Sequence, residues 1–232
     1  MSGRTSWRSD YVPYLLNFPH IPSPYCYRCD YQKTYPECQL SCADELERVV
    51  RQEGSEYISA FIAELILGTS AAGVTPPADY YPRIREICNK YNILMIADEV
   101  VTGFGRTGRN FGIEHWNVVP DIMSVGKGLS SDYTPIAVEK VYDAIYKEST
   151  SFVHGHTYGG NPLSCAVALA VQNYIETHNL VSQCARMGAL MLDRLMPLQE
   201  LPIVGEVRGK GLLIGIEFVA DRPGHDLRYS LD

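Results

Sequence analysis

ILMIADEVVTGFGRTGRNFGIEHWNVVPDIMSVGKG, residues 93–128, is the stretch whose reading decides the fold. Two short apolar runs, Ile93–Ala97 and Ile122–Val125, each stop abruptly. The first stops at Asp98-Glu99 and the second at Gly126-Lys127-Gly128. Runs of this length suit strands buried on both faces of a parallel sheet. In open α/β sheets, ligands collect just beyond the carboxyl ends of the strands. The expected fold is therefore α/β, a mostly parallel sheet with flanking helices, aiming one carboxylate and one amine into one crevice. A lysine between two glycines can be approached closely, because neither neighbour carries a side chain. Taken singly, Asp98 also fits a turn cap and Lys127 a surface charge; the two together point to a site.

A carboxylate and an amine at adjacent strand ends are what pyridoxal phosphate requires. The lysine forms a Schiff base with the cofactor aldehyde. The carboxylate keeps the pyridine nitrogen protonated, so that the ring serves as an electron sink.

ADEVVTGFGRTG (97–108), PDIMSVGKGLS (120–130) and HGHTYGGNPLSCAVALA (154–170), in that order, resemble the class III aminotransferases, pyridoxal-phosphate enzymes of fold type I. The resemblance implies a partial cofactor-binding large domain over 42–200. A Cys- and Pro-rich loop region (1–41) precedes it, and the start of a small C-terminal α+β domain (201–232) follows. It implies that Lys127 and Asp98 are catalytic. It also implies that Val100 lies on the ring face, and that Thr157 reaches the cofactor phosphate of the partner subunit in a homodimer. Glu64 would face the substrate. The implied reaction moves an amino group from an amino donor to a 2-oxo acid or aldehyde. An isomerase or decarboxylase using the same cofactor is a rival within the class, and GFGRTG favours the aminotransferase branch.

The sequence also departs from the family pattern. Leu65 stands where proline is usual after the glutamate, and Asp132 where glycine is usual. Only Ile136, Ala137 and Val138 remain of a longer apolar segment. No glycine- and serine-containing phosphate loop precedes Ile58, and the family's carboxylate-binding arginine would lie beyond the last residue. The expectation is a truncated chain. The alternative is a catalytically incomplete remnant that acts as a metal-binding or interaction fragment.

The metal alternative rests on Cys26, Cys29, Cys38 and Cys42, spaced C-x2-C-x8-C-x3-C. Thiolates from two turns can close a tetrahedral zinc site or hold an iron–sulfur cluster, separate from the transamination chemistry. Free thiols packed in a loop are the plainer reading of the same residues.

The 232 residues are 46% hydrophobic and carry a net charge of −7, which suits a globular domain and gives no sign of nucleic-acid binding. No apolar run of ~18 residues is present, so no membrane span is expected. MSGRTSWRSDY at the start has no apolar core of a secretion signal, which sets the expectation of a cytoplasmic protein with reduced thiols.

The remaining elements follow from periodicity. Prolines 13, 19, 22, 24 and 36 predict an extended loop over 1–40. Helices are expected over 42–53, 78–91, 139–148, 162–178 and 180–195. Strands are expected over 57–63, 204–208 and 211–219. Arg106 is read as a loop anchor through salt bridges, and His115, His154 and His156 as structural or turn residues. The tail after Arg222 reads as disordered.

Overall fold

A computed structural model of the chain describes residues 8–141 and 155–220. Its centre is a four-stranded sheet in the order β1 (Ala60–Glu64), β2 (Leu94–Asp98), β3 (Ile122–Val125), β4 (Val138–Val141). The first three strands are parallel, and β4 runs antiparallel to β3. The α/β architecture expected from the two apolar runs is the one observed.

Helix α1 (Ser41–Glu53) buries Ala43, Leu46, Val49 and Val50 and stops at Gly54, whose φ of 92° suits glycine. Helix α2 (Tyr80–Tyr91) connects β1 to β2 and buries Tyr80, Tyr81, Ile84, Ile87 and Cys88. It ends in a left-handed Asn92. The βαβ unit thus closes on a core shared by α1, α2 and the sheet. Asp121 pins the entry to β3. Its N–H donates to the Met95 carbonyl at 2.8 Å, and its Oδ2 accepts from the Met95 N–H at 2.7 Å and from Arg85 at 2.6 Å.

Helix α3 (Pro162–Thr177) begins with Pro162 behind Asn161, whose side chain accepts from the Ser164 N–H at 3.1 Å. Helix α4 (Leu180–Leu195) follows at once. A separate antiparallel hairpin, β5 (Val204–Lys210) and β6 (Leu213–Phe218), packs on α4 and on the loop after β1. Its turn is wedged where three backbones meet. A Cβ on Gly188 of α4 would strike Gly211 of the turn, and a Cβ on Gly211 would strike Thr107 and Gly108 of the loop after β2. A Cβ on Gly108 would stand 2.8 Å from the Ala185 Cα on α4. No helix of the described residues is long and apolar enough to cross a membrane.

Two expectations are corrected. Three apolar residues, Ile136–Val138, are fewer than a typical strand of about 5–6 residues, and the sequence places a helix from Glu139. Instead Val138–Val141 pairs with β3 from Val125 back to Ile122. Alternation in VEKV and the free edge of β3 outweigh the helix-forming Glu139 and Lys140. The rest of that expected helix, residues 142–148, lies outside the described residues, as do His154 and the tail after Arg222. Residues 8–40 are also more ordered than an extended loop, with short 3-10 turns at Ser9–Tyr14 and Cys26–Arg28. Pro13 is accommodated inside the first of these.

Candidate active site

The carboxyl ends of β1, β2 and β3 lie side by side. Glu64 is the register partner of Asp98, and Asp98 of Ser124, three residues before Lys127. Neighbouring strands stand about 4.8 Å apart, so these ends share one crest of the sheet. The sequence reading put Glu64, Asp98 and Lys127 at strand ends, and the topology brings those ends together.

Asp98 is half-buried, and its Oδ1 accepts from the Val100 N–H at 3.0 Å. That bond turns the chain sharply after the strand and sets the plane of the carboxylate. Val100 in turn lies against the lysine loop. A Cβ on Gly126 would stand 3.8 Å from Val100 Cγ1, in ordinary contact. Gly128 is tighter, since a Cβ there would stand 3.3 Å from Phe104 Cβ and 3.4 Å from the Gly103 carbonyl. The glycine after Lys127 therefore lets two loops of the protein approach each other. Lys127 itself is exposed and opens a 3-10 turn, Lys127–Leu129, with a φ of 39°. A non-glycine residue in this region is strained, and such strain concentrates at functional sites.

Glu64 is half-buried. Its Oε2 accepts from the Gly68 N–H at 3.2 Å, and its carbonyl accepts from the Tyr81 hydroxyl at 2.6 Å. Leu65, in place of the usual proline, is fully buried within the core. Here an apolar anchor follows the strand where the family has a backbone restraint.

Two side chains without an assigned role in the sequence reading prove central. Glu99 is fully buried. Its carboxylate accepts from the Gly112 and Ile113 N–H groups, each at 2.8 Å, and from the Thr102 hydroxyl. Burial pushes the Glu99 carboxyl above its ordinary value, and these three donors oppose that rise. Gln172 of α3 donates through Nε2 to the carbonyls of Leu129 (2.8 Å) and Gly128 (3.3 Å). Apart from Thr102, three residues from Glu99, their partners lie 13 to 44 residues away in sequence, beyond the reach of any local pattern.

Arg106 anchors its loop, but through its backbone. Its carbonyl accepts from the Leu212 N–H and the Cys184 thiol, each at 3.1 Å. His115 Nε2 faces the Thr107 carbonyl and hydroxyl at 3.2 and 3.1 Å, and burial lowers its pKa. Thr157 is exposed in the turn 157–160.

Cys26, Cys29, Cys38 and Cys42 line one cavity of about 20 Å³, together with Tyr31 and Tyr35. That is room for about one water. Among the described residues, no group of three or more His, Cys, Asp or Glu side chains is placed to hold a metal ion. The structure thus lacks the ligand set expected for zinc or an iron–sulfur cluster. The thiols share the wall with aromatic side chains instead of closing a tetrahedron. Burial and the nearby Cys26 and Cys38 push the Cys42 thiol up to about 11, the setting of a neutral packed thiol.

The model of the family described as "Aminotransferase class-III" matches residues 1–229. An uncharacterized aminotransferase, YodT, of Bacillus subtilis is 42% identical over 227 residues, covering 96% of this chain and 51% of the relative. An adenosylmethionine-8-amino-7-oxononanoate aminotransferase of Geobacter sulfurreducens is 40% identical, covering 89% of this chain and 48% of the relative. Among solved structures, a Bacillus anthracis aminotransferase superposes with a TM-score of 0.89 at 40% identity, over 96% of this chain and 51% of its own. An (S)-enantioselective omega-transaminase from Thermomicrobium roseum gives 0.85 at 39% identity, over 93% and 50%. The chain spans about half the length of the curated relatives it matches.

Proposed function

The chain belongs to the class III aminotransferases, and on that footing we propose that it carries the cofactor-holding core of a pyridoxal-phosphate transaminase. One observation carries the reading. Glu64, Asp98 and the Lys127 turn end three adjacent strands, with Val100 close enough to the lysine loop that a Cβ on Gly126 would meet it at 3.8 Å.

The residues present suit the cofactor's reactive ring. A carboxylate with a fixed plane, an exposed amine on a strained turn and a branched apolar side chain between them match its pyridine nitrogen, aldehyde and flat face. When bound, the cofactor supplies an electron sink for charge developing at a substrate carbon. Asp98 would pair with the ring nitrogen and keep it protonated. Lys127 would hold the cofactor through its amine and, when free, would move the proton at the substrate α-carbon. Val100 would lie on one ring face and exclude water from it. Glu64 would face the substrate, an amino donor or a 2-oxo acid or aldehyde acceptor.

Pairing of two copies belongs to the same proposal. Thr157, exposed in its turn, would then serve the partner's phosphate. The exposed Leu163, Leu169 and Tyr174 of α3 supply apolar surface for such pairing. We also place the protein in the cytoplasm, where its seven free cysteines would stay reduced.

The test is direct. The purified chain is mixed with pyridoxal phosphate, its absorbance is scanned, and the adduct is fixed with borohydride for peptide mass spectrometry. A band near the visible edge with the label on Lys127, both lost in Lys127→Ala, is expected. Absence of band and label in the unaltered chain would leave the incomplete remnant as the better description.

A further inference from the structure

The lysine turn has a second support that comes from outside the sheet. Lys127 sits at a φ of 39°, a conformation its side chain does not favour, so something must hold it there. Inside the turn, the Leu129 N–H donates to the Gly126 carbonyl at 2.9 Å and the Ser130 N–H to the Lys127 carbonyl at 3.2 Å. These two bonds close the turn but do not fix it in space. On one side, Gly128 is pressed against Gly103 and Phe104. On the other, the half-buried Gln172 reaches from α3 and places one amide nitrogen on two successive carbonyls, those of Gly128 and Leu129. A second strap joins the same helix to the chain just beyond the turn. Ser130 Oγ donates to the Thr134 carbonyl at 2.7 Å, and the Thr134 hydroxyl meets the Ser164 hydroxyl of α3 at 2.7 Å.

We propose that Gln172 is a positioning residue for Lys127, its side-chain amide clamping the strained turn that carries the amine. The proposal deepens the transaminase reading and rests on Lys127 being the cofactor-holding amine. Both accepting carbonyls follow Lys127 directly. Releasing them lets residue 127 relax toward ordinary backbone angles and swing its side chain. An amide suits this place because its NH2 carries two hydrogens for two oxygens without adding a charge. The shorter, apolar leucine has neither donor, and the isosteric glutamate would set a carboxylate against two carbonyl oxygens.

The experiment compares the full chain with Gln172→Leu and Gln172→Glu by two readouts. Backbone hydrogen exchange is followed over peptides covering 126–131. Borohydride trapping of pyridoxal phosphate measures labelling at Lys127 against the exposed Lys33 and Lys90 in the same sample. Losing the clamp is expected to speed exchange across the turn about tenfold, the scale of one lost hydrogen bond. It should also cut the ratio of Lys127 label to control label by a similar factor, with exchange in α1 and α2 unchanged. Equal exchange over 126–131 in the unaltered chain and both variants overturns the clamp, whatever the labelling shows. Faster exchange with unchanged Lys127 labelling also overturns it, because the turn would then not position the amine. If even the unaltered chain labels Lys127 no better than the control lysines, the cofactor reading fails, and the positioning role fails with it. Should the leucine variant not fold, the glutamate variant carries both readouts alone.

Discussion

Removing the Glu99 side chain is the sharpest single challenge to this description of the site. Glu99→Ala would orphan the Gly112 and Ile113 N–H groups, both 2.8 Å from its carboxylate, in a fully buried position. Leaving a buried donor unmade costs about 1–3 kcal/mol, so two cost about 2–6 kcal/mol. Part of this is returned, because the buried carboxylate was itself costly to desolvate. A net loss of about 3 kcal/mol is expected, a large share of the ~5–15 kcal/mol available to a domain. The assay is urea unfolding followed by fluorescence. The buried Trp116, at the end of the 3-10 turn Gly112–Trp116, reports on the segment that Glu99 holds. Glu99→Gln keeps one acceptor and should lose less. It should also remove a pH dependence. The Glu99 pKa is raised in the fold, so its contribution is fully present below its ordinary value and declines as pH rises through the folded value. The glutamine variant should lack that decline. A loss under about 1 kcal/mol in Glu99→Ala would refute the claim that this carboxylate staples the loop behind Asp98.

Two further outcomes follow from other parts of the chain. Restoring the family proline in Leu65→Pro should destabilise by about 2–4 kcal/mol, because the core has packed around a fully buried leucine; a raised melting temperature would contradict this. Glu47 accepts from Lys90 at 2.6 Å, Tyr91 at 2.8 Å and Arg51 at 2.7 Å, and Lys90 and Tyr91 foremost hold its carboxyl down from 4.5 to about 2. That stability is present above the ordinary value and is lost as pH falls through about 2, so Glu47→Gln should flatten the acid limb of an unfolding curve measured against pH.

Local sequence carried the β2 and β3 strand ends because each is a short apolar run stopped by the residues that matter. Helix α4 was legible to its exact ends, Leu180 and Leu195, from one apolar stripe and the proline after it. The fourth strand was not, because Glu139 and Lys140 favour a helix locally and only the pairing of Val138 with Val125 decides otherwise. The cysteine spacing pointed to a metal site that the structure does not form; the four thiols line one cavity, but spacing does not report which way thiols turn or what else lines the wall. Glu99 stood in plain view beside Asp98. Its role depends on two N–H groups a loop away, and no neighbour in sequence announces them. Gln172 is the extreme case, a polar residue in an apolar helix whose partners lie 44 and 43 residues back.

The hairpin turn wedged at Gly188, Gly211 and Gly108 carries a mechanical consequence. Where main chains touch without intervening side chains, there is no soft layer to absorb sliding. The tip of the β5–β6 hairpin, the middle of α4 and the GFGRTG loop must therefore shift as one block. Any tug on the hairpin is transmitted to the segment that leaves Asp98, and a bulky residue at any of the three contacts would act as a wedge driven between gears.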